Sequence, residues 1–308
     1  MSAERDDADA GQRELDVRVG FGLFASEGQL DHLVSIARQV DVDVGEVLYA
    51  RGNPVTSLFQ LTSGAIEMAA PDLPTWRFTN QAAAGLLDFV LGRPHTRTAT
   101  TTVASRLLEL DAADYRDYLE DNFEVSVRII SQLSTQIIAE IAAGTEAERF
   151  LGRTAEAAPR SFAEIEIPLV DRLLMLSRMT VFRGSSVQAL ANLAQRATEV
   201  RFAAGDVIVT AGSVASSLSL LVEGEVELEL PNGQRVRRGG RDLVAYLEEL
   251  AVAPRSMTVT ATRPTIVLQI ERDDLLDRIE EHFDLAMALF ACVATAREQL
   301  NNAVAAAD

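Results

Sequence analysis

The chain has 308 residues, of which 48% are hydrophobic and 24% charged, values that exclude a disordered or fibrous chain and suggest two domains, each able to bury a core. Its 46 acidic residues outnumber 28 basic ones, all arginine, and the net charge of −18 argues against a nucleic-acid partner because such a field repels phosphate backbones. No apolar stretch reaches the roughly 20 residues of a membrane span, the start MSAERDDADAGQRELD is acidic and polar, and the single cysteine, Cys292, permits no internal disulfide, so a cytoplasmic protein with no membrane association is expected.

Residues 1–19 are expected to be an acidic tail. The apolar-periodic LDHLVSIARQV then predicts a lead helix, followed by β-branched runs separated by glycine turns: VLYA, SLFQLTSG and AIEMAA. Residues 45–67 match residues 205–227 without a gap at an offset of 160, carrying Gly45, Gly52 and Gly64 onto Gly205, Gly212 and Gly224. The same offset takes Leu30 and Leu33 onto Leu190 and Leu193, and Asp114, Glu120 and Phe123 onto Asp274, Glu280 and Phe283. A repeat this long is a duplicated domain rather than a solenoid unit. The second copy accordingly reads as a helix in VQALANLAQRATEV and strands in VIVTAG, SLSLLVEG and EVELEL.

Each copy closes in predicted helices, at 111–143 and 272–307. In the first, Val127, Ile130, Ser134, Ile137 and Ile141 fall at a and d spacing, a seam that packs on the chain's own barrel or on a second copy of the chain. Residues 144–170 carry small and charged residues, two prolines and no sustained periodicity, and are assigned as a linker. The expected domains are therefore 20–143 and 171–308.

Lead helix, glycine-framed strands and closing helices, twice over, resemble the cyclic nucleotide-binding domain family. The resemblance implies a mainly β fold with flanking helices (α+β), built as two tandem double-stranded β-helix (jelly-roll) barrels. It also implies a cassette reading FGE(L/I)AL followed by PR(A/S/T)AT. There the glutamate accepts the ribose hydroxyl, while the arginine and the amides of a one-turn helix hold the cyclic phosphate.

In the second copy, AYLEELAVAPRSMTVTA keeps Pro254, Arg255, Ser256 and Thr258, so Arg255 is the phosphate-arginine equivalent. Tyr246 stands where the glutamate belongs, and Glu248 is the alternative ribose acceptor. Glu248 and Glu249 on the short turn would repel a phosphate. In the first copy, GLLDFVLGRPHTRTATTTVA offers Gly85, Asp88 as ribose acceptor, Arg97 as phosphate arginine and Thr98 behind it, with His95 and Thr96 separating Pro94 from Arg97. The first cassette keeps the charge pair but not the spacing; the second keeps the spacing but not the pair. Charge favours the first, where Arg93 and Arg97 face Asp88, over the second, where Arg241 and Arg255 face Asp242, Glu248 and Glu249. The alternative for both arginines is an ion pair with a neighbouring carboxylate that closes an unfilled cassette.

His32, His95 and His282 lack ligand spacing, so no metal site is expected, and no hydrolase, P-loop or dinucleotide motif occurs. Trp76 is expected to be packing, with purine stacking as the alternative. No cofactor is implied beyond a cyclic nucleotide ligand. The resulting expectation is a non-catalytic, bacterial-style cytoplasmic signalling adaptor that relays its state through its C-terminal helices to a protein partner. The alternatives are a cyclic nucleotide receptor at the first site and an architectural protein with empty barrels that self-associates.

Overall fold

The computed structural model describes residues 27–79, 82–143, 165–239, 242–244 and 246–305. The expected acidic tail and residues 144–164 of the expected linker lie outside these. By its contacts the chain divides into two compact units, Met1–Arg128 with Asn301–Asp308, and Ile129–Leu300.

The first unit contains helix α1 (Glu27–Ile36), strands β1 (Ala37–Val42), β2 (Val47–Tyr49), β3 (Ser57–Ser63), β4 (Ile66–Ala70), β5 (Leu73–Phe78) and β6 (Ala83–Ala84), the one-turn helix α2 (Leu86–Val90), then β7 (Thr98–Thr101), β8 (Ser105–Asp111) and α3 (Ala112–Asp121). Helix α4 (Phe123–Ala143) follows, and beyond the linker come α5 (Leu169–Arg178) and α6 (Val187–Arg196). The second barrel comprises β9 (Thr198–Phe202), β10 (Val207–Val209), β11 (Ser217–Glu223), β12 (Glu225–Glu229), β13 (Arg235–Gly239), β14 (Asp242–Val244), the one-turn helix α7 (Leu247–Ala251), β15 (Thr258–Ala261) and β16 (Thr265–Glu271). Helices α8 (Arg272–Glu281) and α9 (Phe283–Ala305) end the described chain.

Each barrel is a jelly roll of two four-stranded antiparallel sheets, ordered β1-β8-β3-β6 and β2-β7-β4-β5 in the first, β9-β16-β11-β14 and β10-β15-β12-β13 in the second. The two orders are identical strand for strand. Even the irregularities repeat: the register shifts at Val47/Tyr49 and Leu61/Ser63 recur at Val207/Val209 and Leu221/Glu223. The framing glycines explain part of this. Gly64 and Gly224 adopt φ +109° and +108° where one strand turns into the next, and a Cβ there would collide with Ser105 and Thr265.

The lead helices are shorter than their apolar periodicity predicts. Helix α1 ends at Ile36 and ARQVDV becomes β1, paired antiparallel with β8 from Ala37↔Leu110 to Val42↔Ser105; likewise ATEV enters β9. Sheet pairing satisfies those backbone groups and overrides a weak helical preference. Among the described residues no helix is long and apolar enough to cross a membrane.

Each barrel has its own core, Phe59, Leu61, Ile66, Met68, Trp76 and Leu107 in the first, and Leu221, Val226, Leu228, Val236, Val244 and Val259 in the second. Of the expected helical seam, Ile130 and Ile137 are buried, while Ile141 packs on the second barrel's core.

Candidate functional site

In the first barrel, Gly85 at φ +90° turns the chain from β6 into α2, with room for a Cβ limited by His95 and Leu58. Asp88, inside that helix, is buried and ties down the loop that follows. Its carboxylate accepts from Arg93 Nε at 2.8 Å and from the Thr96 backbone N–H at 3.0 Å, with His95 Nδ1 3.7 Å away. Burial pushes this carboxyl up, but His95, Arg93 and the Thr96 N–H together hold it below the usual carboxylate range. His95 itself stacks on Tyr49 with ring centres 3.6 Å apart.

Arg97 points into the barrel and is 2% exposed. Its guanidinium lies 3.6 Å above the ring of Trp76, donates from Nε to the Pro74 carbonyl at 3.2 Å and from Nη2 to Asn302 Oδ1 at 2.6 Å. Trp76 Nε1 donates to the same Asn302 oxygen at 3.2 Å. Thr98 faces the other way, its hydroxyl accepting from the Arg51 N–H at 3.0 Å. The sequence-predicted residues thus form two clusters: Gly85 and Asp88 hold the cassette loop, and Arg97 sits apart with Trp76.

The second cassette is closed upon itself. Arg255 Nη1 is bonded to Glu249, and Nη2 donates to the Ser217 carbonyl at 3.0 Å. Glu248 accepts from both the backbone N–H and the hydroxyl of Ser256. Burial pushes Glu249 up to about 8, against the pull of Arg255. The ion-pair alternative expected from sequence is therefore what Arg255 forms. The adjoining cavity is about 30 Å³, room for about one water, and is lined by Ile138, Ile141, Leu228, Tyr246, Glu248 and Met257.

Backbone hydrogen bonds fix which positions correspond, and they correct the alignment of the two arginines. Gly52 N–H donates to the His95 carbonyl and Gly212 N–H to the Arg255 carbonyl, both at 2.8 Å. Asp88 meets Thr96 as Glu248 meets Ser256. His95 is therefore the counterpart of Arg255, and Met257 that of Arg97. The Thr-Ala-Thr text after Arg97 resembles the motif end but lies two residues late. Applying the offset of 160 to the cassette, as to the strands, would have found this.

A further asymmetry lies in the loop after the one-turn helix. Gly92 has φ +60°, and its counterpart Val252 has φ +56°, the one non-glycine residue with positive φ among those described. A β-branched side chain there is strained by roughly 1–2 kcal/mol. Because Val252 is exposed, Val252→Gly is expected to raise stability by about 1 kcal/mol in urea unfolding, strain relief outweighing the added chain entropy.

Residues 199–282 match the family model described as cyclic nucleotide-binding domain. The second barrel belongs to the cyclic nucleotide-binding domain family. Since the first barrel repeats its strand order, register shifts and cassette hydrogen bonds, the chain is a tandem of two cyclic nucleotide-binding-type domains. No curated protein matches the chain in sequence. Solved structures similar to it include the regulatory domain of Toxoplasma gondii PKA with cAMP, 16% identical over 94% of this chain and 97% of that one, TM-score 0.36. Another is the regulatory subunit of a cAMP-independent protein kinase A from Trypanosoma brucei, 16% identical over 98% and 94%, TM-score 0.37. The sensor domain of the transcriptional regulator DNR from Pseudomonas aeruginosa is 18% identical, over 43% of this chain and 98% of that one, TM-score 0.36.

Proposed function

We propose that the chain is a non-catalytic signalling adaptor in which the first barrel is the ligand-responsive domain for a cyclic nucleotide and the second cassette is structural. The carrying observation is the different fate of the two arginines. Arg255 is committed to Glu249 of its own cassette helix, with Glu248 beside it, so a phosphate entering there meets carboxylates. Arg97 lies over the Trp76 ring and donates to the Pro74 carbonyl and to the Asn302 carboxamide, contacts that a charge-assisted bond to phosphate can replace. The state of that pocket passes to a protein partner through the C-terminal helices, α9 being the element that touches Arg97.

Titration calorimetry with cyclic AMP and cyclic GMP tests this reading. Heat is expected in the wild type and in Ser256→Ala, and Arg97→Gln is expected to weaken binding about tenfold or more, the worth of one charge-assisted hydrogen bond. Equal binding in Arg97→Gln would place the site elsewhere, and no heat from the wild type would favour the architectural alternative.

A further inference from the structure

The tip of α9 supplies an unexpected component of the first barrel. Asn302 lies 205 residues from Arg97 in sequence, yet its single side-chain oxygen receives two converging donors, Arg97 Nη2 at 2.6 Å and Trp76 Nε1 at 3.2 Å. Three residues on, Ala305 packs on the same barrel's core, and the contacts group Asn301–Asp308 with the first unit. Two fixed N–H donors meeting at one oxygen in a buried pocket form a receptor for an oxygen-bearing group, and a carboxamide is the uncharged version of an anionic oxygen. Donors and occupant come from three separate segments, β5, the residue leading into β7, and α9, so local chain geometry does not force the arrangement.

The geometry points to an intrachain binding site: the Arg97–Trp76 pocket holds the α9 tip as its resident occupant, with Asn302 as the group an incoming anion must displace. An anion that takes Arg97 breaks both hydrogen bonds to Asn302 and frees the helix tip. The apparent affinity for such a ligand is then lowered by the fraction of molecules in which the tip is seated. The second barrel lacks this device, because Met257 stands at the position of Arg97 and the side chains near it from α4 are Ile138 and Ile141. This inference rests on the proposed ligand response only where a nucleotide is used in its test.

Trp76 is the only tryptophan in the chain, so its emission reports this pocket in the intact protein. Asn302→Ala is expected to shift that emission to the red and raise its acrylamide quenching, both without ligand. Asn302→Asp keeps the accepting oxygen and adds charge toward Arg97, and is expected to lower the quenching below wild type. With cyclic AMP as probe, the alanine variant should bind about tenfold tighter than wild type if the tip is seated in about nine molecules of ten, and the aspartate variant about tenfold weaker if the added charge raises that to about 99 in 100. Unchanged emission and quenching in both variants overturns the occupancy. The ligand-free shifts in opposite directions, with no heat from cyclic AMP in any variant, uphold the occupancy and overturn the nucleotide reading instead.

Discussion

Replacing Arg255 with alanine is expected to destabilise the second unit by about 3–5 kcal/mol at about pH 9, because there it strips the cation from a buried, ionised Glu249. Arg255 is 6% exposed and Glu249 is 1% exposed, so water screens neither. The loss should grow with pH. Glu249 has a folded-state pKa raised by burial to about 8, above the ordinary 4.5, and Arg255 is the group that opposes the rise. An acid with a raised folded pKa contributes stability that is complete below its unfolded pKa and lost as pH climbs through the folded one. Removing the arginine pushes the carboxyl higher still. The variant therefore behaves closest to wild type near pH 5, where Glu249 is protonated in both, and falls furthest behind near pH 9. Urea midpoints at the two ends of that window check this; a pH-independent difference would show that the pair is not the source. The double variant Arg255→Met, Glu249→Leu should recover most of the loss, since an apolar pair of similar size removes both desolvation penalties.

What could be read from the sequence follows from how local each constraint is. The tandem barrels were legible because strand corners demand glycine: Gly64 and Gly224 sit at φ values that exclude a side chain, and such positions persist at fixed spacing. The cassettes were less legible because matching letters is not the same as matching register. Arg97 followed by Thr98 and Ala99 reads like the end of the phosphate motif. The backbone bonds of the 52–53 and 212–213 turns nevertheless place His95 opposite Arg255. The pairing of Arg255 with Glu249 is local, six residues apart, and was among the readings the composition of that cassette allowed. The contact of Asn302 with Arg97 leaves no trace in sequence, because nothing in the last turn of an alanine-rich helix marks one asparagine as the residue that enters a pocket 205 positions earlier. Trp76 belongs to the same class. A lone tryptophan after Pro74 reads as packing, and it is buried in the barrel core, with the Arg97 guanidinium over its ring.

Trp76→Ala is expected to cost the first unit about 3–5 kcal/mol, the usual range for emptying a buried aromatic site. Trp76 is 7% exposed within the cluster that includes Phe59, Leu61, Ile66 and Met68, so the cavity left behind has stiff strand walls and collapses little. The substitution also removes the ring beneath Arg97 and one of the two donors to Asn302, leaving a buried cation with less to stabilise it. Trp76→Phe separates these contributions. It keeps most of the apolar volume and a ring face for the guanidinium but deletes the N–H, so its cost should be about 1–2 kcal/mol, a lost hydrogen bond plus a small void. Unfolding followed by circular dichroism, which needs no tryptophan, ranks the three proteins. A phenylalanine variant as unstable as the alanine one would mean that the stability depends on the indole N–H and its bond to Asn302 more than on the volume of the ring. An alanine variant within about 1 kcal/mol of wild type would mean that Trp76 does not hold the barrel together and that Arg97 draws its support from elsewhere.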